Sequence, residues 1–231
     1  MKFAAITCTG GRHELFRLTQ RWIERQMRLP DLWIVVTDNG DVIDKLPPWA
    51  TFAQVPPRPA SWDFPGYPIP AWSLSCALQM VPAGYAAIPM EDDDWFSKVH
   101  CSTIMSKLEQ GHMISYGDEV YYFHVPAQRW QFRKGEHSTE GCIGLHPDAI
   151  ERWRLSLPSD PRWNPADGVY RGFTKVDIKG VGYGLPGRHG TTNRHNPKHK
   201  KGMIMRPDPH HLRFKKAVGA VDAQCYINLC R

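Results

Sequence analysis

The chain reads as an α/β protein built on an open, largely parallel sheet with helices on its flanks. Three observations predict this. An apolar run at Lys2–Cys8 meets a turn, Thr9-Gly10-Gly11-Arg12. There follows a segment with apolar residues on one helical face and then a second apolar run, Leu32–Val36. That β-turn-α-β order implies parallel strands joined by a right-handed crossover. The run Tyr85–Met90 then ends in four consecutive carboxylates, Glu91, Asp92, Asp93 and Asp94. This is what a strand looks like when it delivers ligand-binding groups to the carboxyl edge of an open sheet. Finally, 231 residues at 42% apolar and 11% aromatic have ordinary globular composition and can bury a full core.

Taken in order, apolar positions at 15, 16, 18, 22, 23 and 27 predict a helix over His13–Arg28, stopped by Pro30. The second strand ends in Thr37-Asp38-Asn39-Gly40, a turn signal. Thr51–Val55 is a short third strand. The stretch PPRPASWDFPGYPIP is too long for a plain connection, and its aromatics argue for an ordered functional loop. Ala71–Val81 has helical spacing. Pro89 is awkward within a strand and is expected at its end or at a bulge. Spacing predicts a helix over Trp95–Leu108, stopped by Gly111. Met113–Tyr116, Glu119–His124 and Arg129–Phe132 read as a small β-meander, rich in Tyr and Phe. Pro147–Arg154 is a helix with Pro in its first turn, and Val176–Ile178 a last strand. From Gly180 the chain becomes a Gly/His-rich loop, and a C-terminal helix is expected around Pro209–Val218.

The net charge of +6 is uneven. From Lys175 onward there are 12 Lys/Arg against 3 Asp/Glu, a balance of +9, so the remainder sits at −3. A basic C-terminal third favours a polyanionic partner. No apolar run approaches the ~20 residues needed to cross a bilayer. The start resembles a first strand rather than a signal peptide, so the expected location is the cytoplasm. The six cysteines include no Cys-x-x-Cys pair and fall mostly in apolar runs, which predicts free thiols.

Four adjacent carboxylates repel one another and need water or a cation. Their hard oxygens, placed directly after a strand, suit Mg2+ or Mn2+, which bridge protein carboxylates to substrate phosphates. A solvated acidic turn ahead of a helix is the competing account. The cluster resembles the acidic DXD signature of the GT-A nucleotide-sugar glycosyltransferases, a strand ending in Asp-x-Asp or Glu-Asp-Asp. Three further pieces stand in the family's order. They are the Thr7, Thr9, Gly10, Gly11, Arg12 turn, the Thr37-Asp38-Asn39-Gly40 turn, and the Gly-rich segment Lys179–Gly190 with His195 beyond it.

The resemblance implies a GT-A-like, Rossmann-related open sheet and a metal-dependent transfer of sugar from a nucleoside diphosphate to an acceptor hydroxyl. A UDP-sugar is the expected donor. It places Thr7, Arg12, Asp38, Glu91, Asp92 and Arg188 on the nucleotide sugar, and Asp93, Asp94 and His195 on Mn2+ or Mg2+. By distance from the strand, Glu91-x-Asp93 fits the motif better; a shifted register uses Asp92 and Asp94. His195 is equally an ordinary loop histidine, and His189 is the next candidate. Asp38 also suits a plain turn, and Arg12 a helix start. A zinc set drawn from the late His and Cys residues lacks any Cys pair at zinc-site spacing. An inverting enzyme would need a carboxylate base near the acceptor. Glu140 and Asp148 are the candidates, with Glu136 and Asp167 behind them. A histidine closing the metal site leans toward retention, which needs no such base.

The compact size and basic third resemble small bacteriophage enzymes that add sugars to hydroxymethylated pyrimidines in DNA. That implies DNA as the acceptor, with Trp62, Phe64, Trp72 and Trp130 available for stacking. Small sugars, lipids and protein side chains stay open. One domain is expected: residues 1–110 for the nucleotide sugar, 111–195 for the acceptor and 196–231 as a basic extension. Two other functions fit the residues less fully, a nucleic-acid-binding module with a structural acidic cluster and a Mg2+-dependent nucleotidyltransferase.

Overall fold

A computed structural model describes residues 1–10, 13–37, 42–43, 45–56, 70–92, 94–116, 119–125, 128–134, 143–156, 175–177, 182–184 and 206–229. The first half runs β1 (Phe3–Thr9), α1 (His13–Glu24), β2 (Leu32–Thr37), β3 (Ala50–Gln54), α2 (Pro70–Gln79) and β4 (Ala86–Pro89). Next come α3 (His100–Leu108), β5 (Ile114–Tyr116), β6 (Glu119–His124), β7 (Arg129–Lys134), β8 (Ile143–Leu145) and α4 (Pro147–Ser156). The short strands β9 (Lys175–Asp177), β10 (Gly182–Gly184) and β11 (Arg206–Pro207) precede α5 (Leu212–Val218) and α6 (Ala220–Leu229).

The main sheet has seven strands in the order β3-β2-β1-β4-β8-β5-β9. Strands β3, β2, β1 and β4 are mutually parallel, and β8 runs against both β4 and β5. The chain moves outward from β1 through β2 to β3 and then returns to β4 on the other side of β1. The carboxyl ends of β1 and β4 therefore border a topological switch point, where open α/β sheets bind ligands.

Period-two alternation divides the core between the faces of this sheet. Phe3, Ala5, Trp33, Val35, Ile88 and Met90 pack with α1, α3, α5 and α6. Ala4, Ile6, Ile34, Val36 and Ala87 pack with α2 and α4. Strands buried on both sides are apolar throughout rather than alternating, hence their plain apolar runs in the sequence.

Pro89 is the last ladder residue of β4, opposite Ile6. The amides of Ala86 and Met90 point to β1, bonding the carbonyls of Lys2 at 3.0 Å and Ile6 at 2.7 Å. By alternation, the nitrogen of Pro89 faces β8, where the ladder narrows to the one pair Ala87–Leu145. A missing N–H is tolerated on that side.

Two helices differ from their spacing for the same reason. The first ends at Glu24 rather than Arg28. Gln26 Nε2 donates to the carbonyls of Trp22 (2.9 Å) and Ser97 (2.8 Å), and the Met27 amide donates to Lys98 (2.7 Å). The third begins at His100 rather than Trp95, because carbonyls between 94 and 98 are claimed from outside the segment. The expected meander also divides. Strand β5 joins the main sheet between β8 and β9, while β6 and β7 form an antiparallel hairpin in a second sheet ordered β10-β6-β7-β11. At the C-terminus, Gly219 (φ +91°) separates α5 from a further helix, α6. Phe214, Val218, Ala223, Tyr226 and Ile227 of this pair belong to the larger core cluster. Cys76, Cys101 and Cys225 are free thiols, as expected.

Candidate functional site

The carboxylate turn leaves β4 at the carboxyl edge beside the end of β1. Hydroxyls of β1 and α1 fix its near end. Thr9 donates from Oγ1 to Asp92 Oδ2 at 2.6 Å, and Thr19 donates to the Glu91 carbonyl at 3.4 Å. Thr7 donates to the Met90 carbonyl at 2.9 Å and accepts from Trp33 Nε1 at 3.0 Å. That single buried hydroxyl ties β1, β2 and β4 together. The Asp94 amide closes the turn on the Glu91 carbonyl at 3.4 Å. Asp92 is 1% exposed and Asp94 6%. Buried carboxylates are uncommon without partners, so this is not the solvated acidic turn that its composition allowed.

The far end is gripped from behind. Tyr226 Oη, on α6, donates to the Asp94 carbonyl at 3.0 Å and accepts from Trp22 Nε1 at 2.7 Å. Asp222 Oδ2, one turn earlier, accepts from Trp95 Nε1 at 2.8 Å and from Arg25 Nη1 at 2.6 Å. Arg25 also donates from Nη2 to the Phe96 carbonyl at 2.9 Å, its guanidinium lying 4.0 Å from the centre of the Trp22 ring. With Gln26 on Ser97 and Met27 on Lys98, the carbonyls of Asp94, Phe96, Ser97 and Lys98 are all held by α1, the residues just after it, or α6.

Of the residues expected to work together, Thr7, Glu91, Asp92 and Asp94 meet at this edge. Asp148 does not join them. Strand β8 runs antiparallel to β4, so the α4 start lies toward the amino edge of the parallel strands. There Asp148 is exposed, 3.5 Å from His146 Nδ1, in the first turn of α4. That is the helix-terminal charge which its sequence context also suited. Arg12, Asp38, Asp93, Glu140, Arg188 and His195 lie outside the described residues, as do His189, Glu136, Asp167, Trp62 and Phe64. Among the described residues no group of three His, Cys, Asp or Glu side chains is placed to hold a metal ion. Two of the three expected ligands, Asp93 and His195, are not among them. The sequence reading missed Tyr226, Asp222, Arg25 and Thr19, which stand far from the acidic run along the chain and belong to no motif.

On the second sheet, two exposed arginines flank one buried indole. The guanidinium of Arg213 lies 4.1 Å and that of Arg206 5.6 Å from the Trp130 ring centre. Asp208, 3% exposed, accepts the amides of Arg213 and Phe214 at 2.7 and 3.0 Å and so caps the start of α5. No helix among the described residues is long and apolar enough to cross a membrane.

No protein-family model matches the chain, and no curated protein does. Among solved structures it is similar to residues 1–349 of TarS from S. aureus in complex with UDP, with a TM-score of 0.55 and 13% identity. The fold is GT-A-like. The likeness covers 80% of this chain and 60% of that one, so this chain spans less than two thirds of the TarS structure. A weaker likeness, to the bifunctional IspDF of Campylobacter jejuni, has a TM-score of 0.48 and 10% identity over 78% of this chain and 50% of that one, and adds no weight. At these identities the resemblance is one of fold. What the GT-A-like sheet contributes is position: the buried Asp92 and Asp94 stand at its switch point.

Proposed function

We propose that this protein is a metal-dependent glycosyltransferase that moves a sugar from a nucleoside-diphosphate donor, a UDP-sugar by preference, to an acceptor hydroxyl. The observation that carries this is the pair of buried, anchored aspartates, Asp92 and Asp94, at the switch point of a GT-A-like sheet. The donor chemistry fits the group required, since aspartate oxygens are hard ligands suited to Mn2+ or Mg2+. When bound, such a cation would neutralise the diphosphate as it departs. In the Glu91-x-Asp93 register Asp93 is the principal ligand with Asp94 beside it, in the shifted register Asp92 and Asp94 serve, and His195 is the proposed third ligand. Thr9 orients Asp92 through a short hydrogen bond. Asp38 is the proposed contact to the nucleoside, and Arg12 and Arg188 are the proposed contacts to the phosphates. The amino end of α1 opens at the same edge, where backbone amides favour anionic groups.

The acceptor in this reading is DNA carrying a hydroxymethylated pyrimidine. The +9 balance of the C-terminal third and the exposed Arg206 and Arg213 support a polyanion.

Incubation with a panel of nucleoside-diphosphate sugars tests the enzyme class. Release of nucleoside diphosphate with Mn2+, its loss in EDTA, and a fall on the order of 100-fold or more in Asp94→Asn are expected. Activity indifferent to chelation refutes the proposal. Release of pyrophosphate from a nucleoside triphosphate would identify a nucleotidyltransferase instead.

A further inference from the structure

We infer that α6 is a working part of the donor site, and that Tyr226 and Asp222 are positioning residues for the carboxylate turn. The inference rests on the glycosyltransferase reading above and adds to it a region that carries no motif.

The turn has two ends and two sources of support. At the near end, Thr7, Thr9 and Thr19 hold Met90, Asp92 and Glu91, all through hydroxyls that β1 and α1 place at the sheet edge. At the far end, the Asp94 carbonyl is held by one phenolic hydroxyl from α6. That hydroxyl is oriented by the Trp22 indole, so its proton is directed at Asp94. Asp222, four residues before Tyr226 on the same helix, holds Trp95 and Arg25 with one oxygen. Tyr226 is 4% and Asp222 9% exposed. In this dry setting each lost partner leaves a buried polar group unsatisfied. A backbone carbonyl that shifts carries its side chain with it, so the Tyr226 hydroxyl sets where the Asp94 carboxylate lies. Outer partners of this kind typically alter metal affinity by about 10–100-fold.

Tyr226→Phe removes the hydroxyl while keeping the ring stacked on Trp22 at 6.2 Å and edge-on to Phe214 at 6.1 Å. Val218→Ala, in the same helical pair and remote from the turn's hydrogen bonds, serves as a control for simple destabilisation. Mn2+ affinity is read by electron paramagnetic resonance of the free ion, and amide exchange is followed over residues 91–98. For Tyr226→Phe the expectation is an affinity about tenfold weaker and faster exchange in that segment. Val218→Ala is expected to lower the melting temperature yet leave both readouts at wild-type values. Equal Mn2+ affinity in Tyr226→Phe and wild type, or equal exchange, overturns the inference. An equal loss in Val218→Ala overturns it as well, by reducing the effect to stability. Wild-type protein that binds neither Mn2+ nor UDP with Mn2+ overturns the glycosyltransferase reading instead. The exchange data alone then decide whether α6 sets the turn.

Discussion

At the residue scale, two ionisable groups show how environment sets chemistry. Glu109 accepts hydrogen bonds from Arg28 at 2.8 Å and from the Met1 ammonium at 3.0 Å. The bond from Arg28 is the larger influence, the ammonium the next, and together they hold its carboxyl down from the usual 4.5 to about 2. A carboxylate depressed in the folded state contributes stability that is complete above its unfolded pKa and is lost as pH falls through the folded one. Glu109→Gln should therefore be less stable than wild type at pH 5–7, with the gap closing between 4.5 and about 2. The glutamate side chain is 36% exposed, so screening limits the gap to about 0.2–1 kcal/mol. Thermal melts of both proteins across that range check this; a gap that widens toward acid contradicts the assignment. Cys101 is the opposite case. It is fully buried beside Met90, and burial pushes its thiol up to about 12. Alkylation at pH 8 should spare Cys101 in the native protein and reach it only on unfolding, since the thiolate is the reactive form. Peptide mapping after a timed iodoacetamide pulse distinguishes the outcomes.

Elements show where the sequence was legible and where it was not. Strands β1, β2, β3 and β4 and helices α1, α2 and α4 were visible because local pattern and global packing agree there. The end of α1 and the start of α3 moved because distant partners stand behind them. Trp95–Val99 has helical spacing, yet the carbonyls of Asp94, Phe96, Ser97 and Lys98 answer to Tyr226, Arg25, Gln26 and Met27, and a helix would need those carbonyls for itself. Strand β8 went unseen because Ile143-Gly144-Leu145 is three residues long and carries a glycine, which weakens any strand signal. Its glycine has a packing reason. A Cβ there would stand 2.1 Å from Ile104 Cγ2 and 3.3 Å from Leu108 Cδ1, so α3 lies directly on the β8 backbone. Gly144→Ala should cost about 1–3 kcal/mol by overpacking, or about 2–4 °C of melting temperature per kcal/mol for a chain of this size. Adding Ile104→Ala removes the clashing methyl, so the double variant should be more stable than the sum of the single losses allows. Strict additivity would mean that the helix does not press on this strand.

For the whole molecule, charge and chemistry are divided. The carboxylates gather at one edge of the main sheet, whereas Arg206 and Arg213 stand on the second sheet and on α5. The two regions are joined through the core, where Phe214 packs on Phe123 at 5.0 Å and on Tyr226 at 6.1 Å. The acidic turn was legible as a motif and the basic third as a composition. Their connection was not, since it runs through rings whose sequence context is ordinary. If the basic surface receives a DNA acceptor, its arginines act on affinity and leave donor chemistry alone. Arg206→Gln with Arg213→Gln keeps planar amides over Trp130 while removing two positive charges. Each phosphate contact contributes about 0.9 to the slope of log affinity against log salt on duplex DNA. The double variant should thus bind an oligonucleotide duplex more weakly at low salt, with a slope flatter by up to about 2. Mn2+-dependent donor hydrolysis should stay at the wild-type rate. An unchanged slope would place the DNA elsewhere on the protein, and a matching loss of hydrolysis would mean that the arginines serve the donor rather than the acceptor.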